Sequence, residues 1–197
     1  MMTRQVDYLF GNNAATLPLK DYSLASQIAQ AEAMKFFIER LRADKGNRSG
    51  IIWWNLIDGF PEISDAVVDN YGCKKLAYSY IKRSQAPVCM IFDEPDADGN
   101  LTLIAVNDTL SEVSLRYSVS DAISGETLLF GPTTIRAEGK TSVCKLSQTS
   151  AKFMLIEWHG DADGINHFVT CLNTTVSFEK YREFMENSGF DSALEGF

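Results

Sequence analysis

Gly50-Ile51-Ile52-Trp53-Trp54-Asn55-Leu56-Ile57-Asp58-Gly59-Phe60-Pro61 is the stretch on which the fold turns. Residues 51–57 are β-branched, aromatic and almost wholly apolar, the composition of a strand buried on both faces in a parallel sheet. Such a strand needs neighbours along both edges and layers over both faces. Asp58-Gly59-Phe60-Pro61 ends it with turn chemistry.

Helical patterns flank the stretch. Upstream, Leu24, Ile28, Ala31, Met34, Ile38 and Leu41 recur at spacings of three and four, with Phe37 widening the stripe and Gln27, Gln30, Lys35, Glu39 and Arg42 elsewhere around the wheel. This predicts an amphipathic helix of about five turns. Asp21 or Ser23 is positioned to cap its start, and Gly46 lies beyond its end. Downstream, Tyr71-Gly72 precedes a short helix over about 74–83, with Leu76, Ala77, Tyr80 and Ile81 as its inner face. Residues 1–20 show little periodicity.

After Pro87 the texture changes. Apolar and β-branched runs at 88–92, 101–106, 113–119, 127–130, 133–136, 141–146, 153–158 and 167–172 are separated by turn clusters such as Asp96-Ala97-Asp98-Gly99-Asn100 and Ser124-Gly125. Seven or eight short strands in about 90 residues predict an immunoglobulin-like antiparallel β-sandwich. Ser177 as an N-cap, a Phe178/Tyr181/Met185 stripe and Gly189 as a stop predict a terminal helix. The fold class expected is therefore mixed α and β.

Composition narrows the function. The chain has 197 residues, 45% hydrophobic and 22% charged, a globular balance. Eighteen Lys+Arg against 26 Asp+Glu leave a net charge of -8, which disfavours nucleic acid and anionic membrane surfaces as partners. No apolar run reaches the roughly 18–20 residues that span a bilayer, so the chain reads as soluble. Its first residues, Met1-Met2-Thr3-Arg4-Gln5-Val6, lack the apolar core of a signal peptide, and no compartment is implied.

Cys73, Cys89, Cys144 and Cys171 form no CxxC and no Cys/His cluster, which supports neither a zinc site nor a dithiol, and free thiols are expected. No cofactor or metal is called for. Asp96-x-Asp98-Gly99-Asn100 lacks the later Glu of a calcium loop, position 105 being Ala, and reads as a hairpin turn. His159 and His167 read as structural. Asn47, Asn107 and Asn173 each begin a formal glycosylation triplet.

Trp53 and Trp54 must face opposite sides of an extended segment. One packs inward; the other stands at the strand's mouth, where an indole stacks on the C–H face of a sugar while a carboxylate such as Asp58 accepts from its hydroxyls. The competing reading leaves both tryptophans in a core.

The run from Ser49 to Tyr78, with Gly50, Trp54, Asp58, Phe60-Pro61, Ser64, Asp69, Tyr71-Gly72 and Lys74-Lys75, resembles the end of the catalytic barrel in glycoside hydrolase family 2, especially its β-mannosidase-like members. The likeness covers roughly residues 20–90. It departs at Ile57, where many relatives have Asn, and at Phe60, where they have Trp. The resemblance implies that residues 1–86 are the last elements of a (β/α)₈ barrel, 87–176 an accessory Ig-like sandwich and 177–197 a terminal helix and tail. A whole barrel takes about 250 residues. By position, Trp54 corresponds to the tryptophan that floors the sugar subsite and Asp58 to an acid at the same mouth.

The family's retaining chemistry uses two carboxylates, and by resemblance these belong to strands that no residue of this chain matches. Helical spacing puts Glu32 and Glu39 on a surface, and Glu62 lies in the loop after the strand. The chain is thus expected to hold no catalytic residue, to be inactive by itself, and to serve a retaining exo-acting β-glycosidase whose substrate is a β-linked oligosaccharide or glycoside. Missing neighbours would leave Ile51, Ile52, Trp53 and the Ile28/Phe37/Ile38 stripe exposed, with self-association as the expected result. The rival is a stand-alone carbohydrate-binding or interaction sandwich, decorated by the helical half.

Overall fold

The computed structural model describes residues 2–11, 14–147, 153–170 and 175–190. Among the described residues, helices α1 (Met2–Phe10), α2 (Leu19–Ala43) and α3 (Leu76–Ser84) precede seven strands, and α4 (Phe178–Ser188) follows them; a 3-10 turn lies at Ala14–Thr16. The chain groups into two compact units, the described residues of Met1–Phe37, Ile51–Lys82 and Cys171–Phe197 in one, and those of Ile38–Gly50 and Arg83–Thr170 in the other.

The first unit is helical, with an aromatic core. Val6 and Phe10 of α1 are buried, and the Phe10 ring meets the edges of Phe178 and Tyr181 at centroid distances of 5.3 and 6.0 Å. The Tyr181 hydroxyl donates to Glu32 of α2 and shares a 2.9 Å hydrogen bond with the Tyr80 hydroxyl of α3. Burial first, then the neighbouring Glu32 charge, pushes the Tyr181 phenol well above its ordinary pKa, so it remains a donor. Ser177 caps α4 by accepting from the Lys180 amide, and Gly189 closes it in the left-handed conformation at φ 71°.

Helix α2 corrects the predicted start. It begins at Leu19, where the Pro18 carbonyl accepts from the Tyr22 amide at 2.8 Å, so Asp21 and Ser23 lie inside it rather than at its cap. Leu19 is exposed, which is why its first turn carries no apolar periodicity. Ile28, Ala31 and Ile38 are buried as expected, and so are Lys35 and Glu39, which the wheel placed on the polar side.

The second unit is built from β1 (Val88–Phe92), β2 (Leu101–Asn107), β3 (Val113–Asp121), β4 (Thr127–Ile135), β5 (Lys140–Leu146), β6 (Phe153–Gly160) and β7 (Gly164–Val169). They form two antiparallel sheets of order β1-β2-β5 and β4-β3-β6-β7. One core joins them: Met90, Ile91, Leu103 and Val106 from the first, Leu115, Val119, Ile156 and Trp158 from the second. This is a β-sandwich.

Runs 127–130 and 133–136, read as two strands, are one. Gly131-Pro132 passes through β4 unbroken, because β4 borders its sheet and an edge strand tolerates a residue without an N–H. Strand β7 starts three residues before the run predicted at 167–172; Cys171 and Asn173 lie outside the described residues. The early start rests on Gly164, where a Cβ would sit 2.2 Å from Cζ2 of the buried Trp158.

Glu39 belongs to this unit and corrects the surface placement expected of it. It is buried, and Oε1 accepts from Nδ2 of Asn166 on β7 at 2.8 Å, the same amide group donating to the Met90 carbonyl at 2.8 Å. A carboxylate buried this way is satisfied by a partner far along the chain, which helical spacing does not reveal.

Candidate functional site

Residues 51–57 do not pair as a strand. Ile57 makes an isolated parallel bridge with Val68, and no ladder includes the segment among the described residues. The buried strand predicted here is instead extended and largely exposed: Ile52 is 99% accessible and Trp54 83%. Without flanking strands, the apolar composition has no sheet to enter. Leu56, Ile57, Phe60, Ile63 and Tyr71 are exposed as well. Phe37 of the α2 stripe is half exposed, while Ile28 and Ile38 have found cover.

The exposed segment is nonetheless held along its second half. The Asn55 and Leu56 carbonyls accept from the Val67 and Val68 amides at 3.3 and 2.9 Å, and the Asp58 amide donates to the Val68 carbonyl at 3.1 Å. Val67 in turn accepts from the Lys75 amide at 2.9 Å. The turn beyond, residues 69–73, is closed by Asp69, whose Oδ1 accepts from the Tyr71 and Cys73 amides at 2.9 and 2.8 Å. The Trp54–Asn55 peptide bond is cis.

Asp58 lies at the centre. Its side chain is 1% accessible and both oxygens are taken, Oδ1 by the Ser64 hydroxyl and Oδ2 by Lys75 Nζ at 3.1 Å. The Ser64 hydrogen bond, and secondarily Lys75, hold its carboxyl below the usual value. Ser64 Oγ also accepts from the Ala66 amide at 3.0 Å, and Lys75 Nζ also donates to the Ser64 carbonyl at 3.3 Å. Two predicted site residues therefore occupy one structural unit in different states: Trp54 presents its ring to solvent, while Asp58 is turned inward. Sequence reasoning did not assign Ser64 and Lys75 as its partners, although both stand in the run that carries the family likeness.

Two helical side chains tie this segment to α2. Gln27 Oε1 accepts from the Leu76 amide at 3.1 Å, and Gln30 Nε2 donates to the Asp65 carbonyl at 2.6 Å.

Other polar features resolve as structure. Asp96 closes the β1–β2 hairpin, accepting from the Asp98 and Asn100 amides at 3.0 and 2.9 Å; with Lys145 these hold its carboxyl at about 2. Asn107, of the glycosylation triplet, is buried and donates to the Ser111, Ile135 and Arg136 carbonyls. Cys73, Cys89 and Cys144 are in no disulfide. Among the described residues no group of three or more His, Cys, Asp or Glu is arranged to hold a metal, and no helix is long and apolar enough to cross a membrane.

No family model matches the chain. A curated relative, β-mannosidase B from Aspergillus niger, is 31% identical over 102 residues, half of this chain and 12% of that protein. A solved structure of β-D-mannosidase from Dictyoglomus thermophilum matches 85% of the chain with a TM-score of 0.70 and 22% identity. The exo-chitosanase CsxA of Amycolatopsis orientalis matches 84% with a TM-score of 0.60 and 17% identity. The chain spans 12% of the length of that curated relative and 21% of each of these two structures. The resemblance to the C-terminal portion of β-mannosidase-like family 2 glycoside hydrolases thus holds in sequence over half of the chain and in fold over most of it.

Proposed function

We propose that the chain serves as the C-terminal portion of a retaining, exo-acting, β-mannosidase-like glycosidase. In this reading residues 1–86 are closing elements of a (β/α)₈ barrel, residues 87–176 an accessory Ig-like sandwich, and 177–197 a terminal helix and tail. The substrate is a β-linked oligosaccharide or glycoside. Trp54 forms the floor of the sugar subsite, and Asp58 is an acid held inside the same segment, its oxygens accepting from Ser64 and Lys75 rather than from sugar hydroxyls.

One observation carries the reading: a broad, accessible indole stands on an anchored segment inside the run whose residues resemble the family. An aromatic face presented this way stacks on the C–H face of a sugar ring, a contact that needs exposure before binding. Catalysis belongs elsewhere in the whole enzyme. Retention requires a nucleophile and an acid/base about 5–5.5 Å apart, and neither Glu32, Glu39 nor Glu62 matches such a position.

The test is a titration of tryptophan emission with manno- and gluco-oligosaccharides. A saturable change that disappears in Trp54→Ala supports the reading, and a flat titration of the parent chain overturns the stacking role. A change that survives Trp54→Ala would move binding to the sandwich and favour a carbohydrate-binding module. The isolated chain is expected to release no chromophore from aryl β-glycosides; turnover like that of a whole glycosidase would remove the assignment.

A further inference from the structure

An indole that is 83% exposed has little side-chain packing to orient it, so its placement is inherited from the backbone that carries it. That backbone is fixed immediately after the ring, through the Asn55, Leu56 and Asp58 hydrogen bonds to Val67 and Val68. Those two residues sit on a segment that Lys75 grips twice. Its amide donates to the Val67 carbonyl, and its ammonium reaches both Asp58 Oδ2 and the Ser64 carbonyl. Ser64 completes the enclosure, donating its hydroxyl proton to Asp58 Oδ1 while accepting from the Ala66 amide. One carboxylate therefore gathers the beginning, middle and end of residues 58–75.

We infer that Lys75 and Ser64 are positioning residues for the sugar subsite: by holding the buried Asp58 carboxylate they set the stance of Trp54 without touching sugar. The inference rests on the reading of Trp54 as a stacking platform. The physical ground is the asymmetry of buried charge. A carboxylate with both oxygens satisfied is stable in its enclosure, whereas one deprived of a partner regains water by moving, and residues 55–58 move with it. The consequence reaches Trp54 through the backbone hydrogen bonds at Asn55, Leu56 and Asp58 and is expected to leave the core of the sandwich unaltered.

The experiment uses the full chain labelled with 5-fluorotryptophan. Its three tryptophans give three ¹⁹F resonances, and the Trp54 signal is identified by its loss in Trp54→Phe. In Lys75→Met, which keeps an unbranched side chain one atom shorter and removes the ammonium, the Trp54 resonance is expected to shift and broaden while that of Trp158 stays in place. Ser64→Ala produces a smaller displacement, and Lys75→Arg restores the parent position. A Trp54 signal unmoved in both Lys75→Met and Ser64→Ala overturns the inference. So does a Lys75→Met variant that moves all three signals while Ser64→Ala moves none, because the lysine would then hold the fold and not the ring. Adding a manno-oligosaccharide separates this failure from that of the sugar reading. If the substitutions move Trp54 but sugar does not, positioning stands and stacking falls. If sugar moves Trp54 with the same affinity in the parent and in Lys75→Met, stacking stands and positioning falls.

Discussion

Val88–Phe92 and residues 51–57 are nearly the same kind of sequence: short, apolar, rich in β-branched and aromatic side chains. Their fates are opposite. Strand β1 is buried at every position and laddered to β2 from Val88↔Asn107 to Phe92↔Leu103. Residues 51–57 carry some of the most exposed apolar side chains described. The difference is in the company each segment finds. Strand β2 follows β1 across the eight residues 93–100, so its partner is built into the local sequence, and the facing sheet supplies the other surface of the core. The earlier segment meets backbone partners at Asn55, Leu56 and Asp58 but no strand along its first half, among the described residues.

The comparison breaks most sharply under paired truncations. Ile91→Ala should cost about 2–5 kcal/mol, the penalty for emptying a packed core site, whereas Ile52→Ala should change stability by less than about 0.5 kcal/mol. Urea unfolding of both variants measures the contrast, and equal losses would show that residues 51–57 are covered in solution. Association is the next test. If the exposed run finds cover in a second copy, light scattering should show a mass that rises with concentration. Ile52→Lys, by removing about 1.5–3 kcal/mol of possible burial, should lower the association constant tenfold or more. A parent chain that stays monomeric throughout refutes self-association.

A smaller effect sharpens the sandwich side. Gly164→Val places branched carbon against the Trp158 ring and should destabilise by about 1–3 kcal/mol, with a shift in the emission of that buried indole. Acid titration is expected to give the mildest response. Asp58 and Asp96 both have carboxyl pKa values below the unfolded value of 3.8, so each contributes stability in full above that pH and loses it as protonation sets in below. For Asp96 the loss runs from about 3.8 down to about 2. The ¹⁹F position of Trp54 and amide exchange at residues 96–100, followed across that range, should both change only below about pH 4; loosening that begins near neutrality would contradict the paired carboxylates.

Much of this contrast was written in the residues, and what was not has a physical cause. Helix α3 was legible because Leu76, Ala77, Tyr80 and Ile81 repeat on one face and all are buried. The sandwich was legible because turn clusters cut it into strand-length pieces, although the runs 127–130 and 133–136 were separated where an edge strand simply continues. Helix α1 escaped notice since its two buried residues, Val6 and Phe10, are too few to mark a period, and the side chains that cover Phe10, Phe178 and Tyr181, are almost a chain length away. Glu39 looked like a surface residue for a similar reason, its partner Asn166 being invisible to local pattern. At the candidate site Trp54 and Asp58 were singled out from the residues, but the distinction between an open ring and an enclosed acid depends on Ser64 and Lys75, six and 17 positions beyond Asp58.

Pro132 has a further consequence. It occupies the strand that borders its sheet, where an open row of amides and carbonyls would otherwise serve as a template for an incoming chain. A missing amide hydrogen leaves a permanent gap in any ladder that tried to form there. That one border is thereby guarded against fibril-like growth, in the same molecule that leaves apolar residues uncovered along residues 51–57.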